Sequence, residues 1–127
     1  MDEPRPPKIA IVDDDESVRE SLVGLVESVG YDVAFFSSAE EFLSLAHLDQ
    51  FACLIFDVRL PGMSGLQLYC HLWTDHQRIP TVFITAHADA GIQSRALAEG
   101  AEAFLYKPFK PAALLDVVRT AVAKLQI

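Results

Sequence analysis

Acidic, hydroxyl and amino side chains follow four separate apolar runs of this sequence. Asp57 comes directly after a run typical of a strand buried on both faces, and a proline and two glycines soon after it indicate a tight loop. Asp13 and Asp14 follow an earlier apolar run, whereas Thr85 and Lys107 end two later ones. Parallel strands all end at one edge of their sheet, where open α/β sheets bind ligands. The five side chains are therefore predicted to meet at that edge.

Such a cluster requires a cation. Three carboxylates about 5 Å apart repel one another by roughly 10 kcal/mol in total at an effective dielectric constant near 20. Lys107 alone cannot offset this repulsion, but Mg²⁺ together with Lys107 balances the three negative charges. Hard oxygen ligands favour Mg²⁺, and the histidine and cysteine ligands that Zn²⁺ prefers are absent from these strand ends.

A carboxylate beside a metal ion, a hydroxyl and an ammonium group is equipped to accept a phosphoryl group. Asp57 is the predicted nucleophile because it is single and central. Asp13 and Asp14 are better placed as metal ligands, directly or through water. Thr85 and Lys107 are predicted to contact the transferring oxygens.

The elements that must position these residues alternate between strand and helix patterns. A capping box of Ser38 and Glu41 opens one helix, Gly30 and Gly100 end two others, and Pro111 stands in the first turn of the last. Five strands alternating with five helices predict an α/β fold with a parallel sheet covered on both faces. The strands are predicted over residues 9–12, 33–36, 52–56, 81–85 and 103–106.

The helix over residues 88–99 is predicted to be weakly anchored, because it contains Gly91 and only Ile92 and Leu97 as large apolar residues. Elsewhere, helical spacing predicts inward-facing apolar stripes. They include Leu66, Tyr69, Cys70 and Trp73 in the helix after Asp57, and Leu114, Leu115, Val118, Val122 and Leu125 in the last helix.

Composition restricts the class of protein. The chain has 127 residues, which suits a single domain, and no apolar run is long enough to span a membrane. We expect a loose tail over residues 1–7, a domain over residues 8–127, and a cytoplasmic protein with no secretory leader and no membrane contact. Cys53 and Cys70 show no metal-binding spacing and are predicted to be buried free thiols.

Charge is distributed unevenly along the chain. The formal net charge of −8 argues against direct binding to nucleic acid. Residues 1–85 carry 5 basic and 14 acidic side chains, net −9, whereas residues 86–127 carry 5 basic and 4 acidic ones, net +1. The last third of the chain is therefore the part least repelled by a second copy of itself.

The segments IVDD, LIFDVRLPGMSGL, VFITA and FLYKPF resemble the receiver domain of two-component response regulators, and the likeness extends over about residues 8–125. This resemblance implies a flavodoxin-like (βα)₅ fold with strand order 2-1-3-4-5. It also implies that Asp57 receives phosphate from a sensor histidine kinase. Asp14, Asp57 and the backbone carbonyl of Arg59 would then ligate Mg²⁺, and Asp13 would act through water. The protein would be a switch that catalyses only its own phosphorylation and dephosphorylation.

The same resemblance assigns further roles. Thr85 and Lys107 would bind the phosphoryl group, the Lys107–Pro108 peptide bond would be cis, and Phe104 would be the aromatic switch residue. Arg59 and His87 match variable positions that flank the phosphoryl group and tune its lifetime.

These roles suggest how a signal would leave the site. Thr85 would move toward the phosphoryl group, and the space that it leaves would draw Phe104 inward. Residues 88–125 would then form the output face, which we expect to be a symmetric dimer contact.

The DVRLPGMSGL segment is most similar to the FixJ-type transcriptional regulators, which usually carry a C-terminal helix-turn-helix domain. A DNA-binding domain after residue 127 is therefore one expectation, and a single-domain receiver that acts by protein contact is the other.

Two other classes share part of this pattern. A haloacid-dehalogenase-type phosphatase would need a second acid two residues after the nucleophile, where this chain has Arg59. A flavodoxin-like FMN protein would need a phosphate-binding loop after the first strand, where four consecutive acids would repel phosphate.

Overall fold

A computed structural model describes residues 5–72, 79–87 and 89–125. The strands are β1 (Lys8–Val12), β2 (Asp32–Phe36), β3 (Phe51–Asp57), β4 (Thr81–Thr85) and β5 (Ala103–Tyr106). The helices are α1 (Glu16–Glu27), α2 (Ala39–Leu45), α3 (Gly65–Leu72), α4 (Ala90–Ala98) and α5 (Pro111–Leu125), and a single 3₁₀ turn spans Leu48–Gln50. No helix among the described residues is both long and apolar enough to cross a membrane.

The five strands form one parallel sheet in the order β2-β1-β3-β4-β5, which confirms the predicted fold class. Alternate residues of each strand enter two separate cores. Val12, Phe56 and Phe83 belong to the core that contains residues of α2, α3 and α4. Ile11 and Ile55 belong to the other core, which contains residues of α1 and α5. Burial on both faces explains the almost uninterrupted apolar runs of the central strands.

Most local signals in the sequence are confirmed. The Ser38 hydroxyl accepts a hydrogen bond from the Glu41 N–H at 3.0 Å, although the Glu41 carboxylate bonds to the Ser37 hydroxyl rather than completing the capping box. Gly30 and Gly100 have φ angles of 94° and 103°, which lie in the left-handed region. A side chain at either position would be strained, so both helices end there.

Two packing predictions were wrong. Leu97 does not anchor α4, because its side chain is 43% exposed, and the neighbouring Ala96 is buried instead. Successive helix residues differ by about 100° in direction, so a shift of one residue moves the buried face. Cys70 is only half-buried, whereas Cys53 is fully buried as expected, and both are free thiols.

Some predicted positions lie outside the described residues. They are Trp73, Ala88, residues 1–4 of the predicted tail, and the side chain of Leu125. The division into a tail over residues 1–7 and a domain over residues 8–127 stays a prediction.

Candidate functional site

Three carboxylates lie together at the carboxyl edge of the sheet. β1 and β3 are neighbours, so Asp13 and Asp14, which follow β1, lie beside Asp57 at the end of β3. Each residue offers a carboxylate oxygen within 4.8 Å of the others. Asp13 and Asp57 are buried, whereas Asp14 is exposed. The predicted acidic cluster is therefore present, with one member open to solvent.

Lys107 reaches this cluster from the far edge of the sheet. It follows β5, and its Nζ lies 3.1 Å from Asp13 Oδ2 and 3.0 Å from Asp57 Oδ2. Its backbone N–H donates to the Thr85 carbonyl at 2.7 Å, which fixes the start of its loop against β4. The lysine side chain is only 16% exposed, so its two ion pairs are shielded from bulk water.

Burial and charge act in opposite directions at this site. Burial raises the pKa of the Asp57 carboxyl group, the hydrogen bond from Lys107 opposes that rise, and the charge of Asp13 adds to it. For Lys107, burial alone would lower the pKa, but its hydrogen bonds to Asp57 and Asp13 and their charges outweigh burial and raise it. The ammonium group therefore stays charged, and it cannot neutralise all three acids.

Backbone and side-chain donors orient the carboxylates. Asp57 Oδ1 accepts from the Arg59 N–H at 3.1 Å, and Asp13 Oδ1 accepts from the Asp15 N–H at 2.9 Å. Arg19 donates to the Asp13 carbonyl oxygen at 3.0 Å. One oxygen of each buried acid is therefore held by a backbone amide, and the other is held by Lys107.

Gly65 allows the loop after β3 to fold closely over the acceptor strand. A Cβ atom at this position would lie 2.1 Å from the Asp57 carbonyl oxygen. The Gly65 N–H also donates to the Val58 carbonyl oxygen at 2.9 Å. No side chain fits there, so this glycine is required by a close backbone approach.

Thr85 lies at the predicted strand end, but its hydroxyl hydrogen-bonds to the loop that follows β4. The residue is buried, and its Oγ1 accepts from the His87 N–H at 3.2 Å and donates to the His87 carbonyl at 3.4 Å. The side chains of His87 and Arg59 are exposed on loops beside the site. Their proposed effect on phosphate lifetime stays a prediction.

The donor set fits the hard divalent ion that the sequence predicted. Carboxylate oxygens of Asp13, Asp14 and Asp57 are the ligand type that Mg²⁺ binds, and the exposure of Asp14 leaves a path for its water ligands. The ligand role of the Arg59 carbonyl stays a prediction.

A family model described as the response regulator receiver domain matches residues 9–119. This chain belongs to that family. The match supports the receiver interpretation over the phosphatase and FMN-binding alternatives.

Three named relatives of this chain are longer than the chain itself. Nodulation protein W of Bradyrhizobium diazoefficiens is 44% identical over 116 residues, which are 91% of this chain and 51% of that protein. Response regulator protein TodT of Pseudomonas putida is 42% identical over 90% of this chain and 50% of that protein. Transcriptional regulatory protein FixJ of Azorhizobium caulinodans is 37% identical over 91% of this chain and 55% of that protein. The chain thus spans about half the length of these relatives.

Solved structures show the same fold. The response regulator StyR superposes with a TM-score of 0.86 at 44% identity, over 93% of this chain and 60% of that one. FixJ-N superposes with a TM-score of 0.83 at 34% identity, over 94% of this chain and 96% of that one.

The predicted switch residue Phe104 is buried in this receiver domain. Its ring is 9% exposed and lies 6.2 Å from the Phe83 ring and 5.4 Å from the Tyr106 ring, measured between centroids. The Tyr106 hydroxyl hydrogen-bonds to the side chain of Gln93 on α4. Because Phe104 is already buried in this structure, the predicted inward movement would have to start from a conformation in which the ring is more exposed.

Three residues that contact the loops of the site were not predicted from the sequence. Asp15 is the N-cap of α1 and accepts from the Val18 N–H, a role that its position before a helical pattern could have indicated. Arg19 donates to a carbonyl six residues away, and Glu40 accepts from an amide 23 residues away. No periodic pattern predicts such contacts.

Proposed function

We propose that this receiver domain is a phosphorylation switch in which Asp57 takes a phosphoryl group from a sensor histidine kinase. The observation that carries the proposal is the position of Lys107 between Asp13 and Asp57, beside the solvent-exposed Asp14. A structural ion pair needs neither a third carboxylate nor an exposed one. A site that exchanges a metal ion and a phosphoryl group needs both.

In the transfer step, a carboxylate oxygen of Asp57 attacks the phosphorus of a phosphohistidine. The new P–O bond forms as the P–N bond breaks, and the leaving imidazole keeps the electron pair of that bond. Lys107 stabilises negative charge on the transferring oxygens, since its ammonium group already contacts Asp57. Asp14, Asp57 and the Arg59 carbonyl would hold Mg²⁺, with Asp13 acting through water, and the bound ion would supply further charge stabilisation.

Phosphorylation of Asp57 then changes the hydrogen bonding of Thr85. Its hydroxyl exchanges its hydrogen bonds with the His87 backbone for one to the phosphoryl group, which frees the loop before α4. Phe104 and Tyr106 pack against each other, and Tyr106 is bonded to Gln93, so a change at this loop is passed to α4. Residues 88–125 form the output face for a symmetric dimer.

The longer relatives suggest what the output is. FixJ is named a transcriptional regulatory protein, and it is almost twice as long as the matched region. We therefore infer that the receiver controls a C-terminal DNA-binding domain in a cytoplasmic regulator and does not itself bind nucleic acid or membranes. Arg59 and His87 adjust the phosphate lifetime from exposed positions two residues after Asp57 and Thr85, respectively.

The direct test is phosphorylation by a small donor. Incubation with Mg²⁺ and acetyl phosphate is expected to give a hydroxylamine-labile adduct on Asp57, detected by mass spectrometry. Asp57→Asn is expected to abolish it, as is removal of Mg²⁺ by a chelator. Equal labelling of the wild type and Asp57→Asn would contradict the proposal.

A further inference from the structure

The loop between β3 and α3 adjoins the proposed phosphorylation site. It begins directly after Asp57 and includes Arg59, whose carbonyl is proposed as a metal ligand. Backbone hydrogen bonds fix both of its ends, because the Val58 N–H donates to the Ile84 carbonyl and the Gly65 N–H donates to the Val58 carbonyl, each at 2.9 Å. Neither bond involves the tip of the loop at Gly62 and Met63.

The tip is held by a carboxylate from a different element. Glu40 is the second residue of α2, and its Oε2 accepts from the Met63 N–H at 2.9 Å. The two residues are 23 positions apart, so this contact ties α2 to the acceptor loop. The pKa of Glu40 is lowered first by this hydrogen bond and second by its own backbone N–H, which indicates that the carboxylate is the favoured form.

The backbone conformation of Gly62 accommodates this contact. Its φ angle of 73° lies in the left-handed region, and a Cβ atom there would lie 2.8 Å from Glu40 Oε2. The positive φ angle therefore favours glycine at the turn, and the absence of a Cβ atom leaves space for the Glu40 carboxylate. Leu60, between Arg59 and the tip, is buried, so little of the loop can move while the tip is held.

We propose that Glu40 is a positioning residue for the metal site, and that it fixes the loop so that the Arg59 carbonyl faces the bound ion. The proposal rests on the proposed function, because it assumes that Mg²⁺ binds at Asp13, Asp14 and Asp57. Glu40 touches neither the ion nor the phosphoryl group. It acts through the Met63 amide, as outer residues commonly do at metal sites.

The chain offers a matched control on the same helix. Glu41 follows Glu40 in the first turn of α2 and carries the same charge, but its carboxylate accepts from the Ser37 hydroxyl. Glu41→Ala therefore measures the effect of removing one negative charge and one side-chain hydrogen bond from the first turn of α2. Glu40→Gln keeps an oxygen that can still accept from the Met63 N–H while removing the charge.

The experiment measures Mg²⁺ affinity by calorimetry, with phosphorylation by acetyl phosphate as a second readout. Glu40→Ala is expected to weaken Mg²⁺ binding about tenfold. Glu41→Ala and Glu40→Gln are expected to change it less than threefold. In hydrogen exchange followed by NMR, the Met63 amide is expected to lose protection in Glu40→Ala and to keep it in Glu41→Ala.

Three outcomes would overturn the inference, each in a different way. If Glu40→Ala binds Mg²⁺ as tightly as Glu41→Ala and both are phosphorylated on Asp57, Glu40 has no positioning role, although the proposed function stands. If the wild type binds no Mg²⁺ and accepts no phosphate, both proposals fail together. A lower melting temperature without a change in Mg²⁺ affinity would assign Glu40 a structural role only.

Discussion

Lys107 shares one positive charge between two buried carboxylates, while Asp14 adds a third acid at the solvent boundary. The raised pKa of Asp57 shows that its ionised form is disfavoured in the fold, first because it is buried and then because Asp13 lies nearby. The site therefore opposes folding slightly as long as no cation is bound. Such strain is common at functional sites.

Replacing Asp57 by Asn is expected to stabilise the protein at pH 7 in the presence of a chelator. The raised folded-state pKa means that charging Asp57 costs stability, and the neutral amide avoids this cost while keeping the size of the side chain. We expect the free energy of unfolding in urea to increase by about 1 kcal/mol. A less stable variant would show that the bond to Lys107 outweighs the repulsion.

Gly65→Ala is expected to destabilise the fold and to displace Asp57. The added Cβ would lie 2.1 Å from the Asp57 carbonyl oxygen, and this backbone atom cannot easily move away. The free energy of unfolding should fall by about 3 kcal/mol, with weaker Mg²⁺ binding by calorimetry.

Gly24→Ala is the control for that substitution. Gly24 lies inside α1, and a Cβ there would meet nothing within 4 Å. Alanine should therefore stabilise the helix by about 1 kcal/mol. If both alanine variants had the same stability, the close approach at Gly65 would not be a constraint.

At the scale of elements, the strands that carry site residues are deeply buried, whereas most residues of α4 are exposed. Every residue of β3 except Ala52 is buried. By contrast, Ala96 is the single buried residue of α4, and a hydrogen bond from Tyr106 to Gln93 ties this helix to β5. Stable strands thus carry the acids, while the proposed output helix is free to shift.

Cys53 on β3 and Cys70 on α3 are expected to react differently with thiol reagents. Cys53 is fully buried, and burial raises its pKa to about 12, with a further contribution from the charge of Glu102. At pH 8, iodoacetamide should modify Cys70 alone in the folded protein and both thiols in urea. Mass spectrometry of peptides checks this, and native labelling of Cys53 would contradict it.

The same thiol predicts a loss of stability in alkali. Its ordinary pKa is 9.0, so as pH rises above 9 the unfolded chain releases the proton before the folded chain does. Stability then decreases with pH, because the unfolded state binds fewer protons. Between pH 8 and pH 10.5, the free energy of unfolding in urea should decrease less for Cys53→Ala than for the wild type.

Tyr106→Phe is expected to loosen α4 without disturbing the acids. The substitution removes the hydroxyl that bonds to Gln93 and keeps the ring that packs on Phe104. Stability should fall by about 1 kcal/mol, and amide exchange should increase in α4. Tyr31→Phe, between α1 and β2, serves as the control and should leave α4 exchange unchanged.

At the scale of the whole molecule, charge divides the chain into an acidic part and a nearly neutral part, and Lys107 connects the nearly neutral part to the site. The first 85 residues carry a net charge of −9, and the remaining residues carry +1. Lys107 follows β5 at one edge of the sheet and contacts the acids after β1 and β3, so the site spans most of the sheet.

Binding of beryllofluoride, a phosphoryl mimic, is expected to produce a dimer through residues 88–125. The nearly neutral charge of this part of the chain allows two copies to approach, and the acidic remainder keeps other faces apart. Light scattering coupled to size exclusion should show a doubled mass with Mg²⁺ and beryllofluoride. An unchanged mass and an unchanged NMR spectrum over 88–125 would contradict a dimer output.

The sequence predicted the architecture and the clustering of the acids with Lys107 because both depend on regular patterns. Apolar runs located the strands, and parallel topology alone brings residues as distant as Asp13 and Lys107 to one edge. It did not predict which way the Thr85 hydroxyl points, or that Glu40 reaches Met63. Those features depend on loop geometry and side-chain rotamers, which periodic sequence patterns do not predict.

The turns at Gly30 and Gly100 have a practical consequence. Each connects a helix to the next strand, so both lie on the opposite rim of the sheet from the acids. A fluorescent reporter or an affinity tag inserted beside Gly30 would be remote from the acids and would lie outside the proposed output face, which includes Gly100. The turn at Gly30 is therefore the natural place to attach a sensor that follows the domain in living cells.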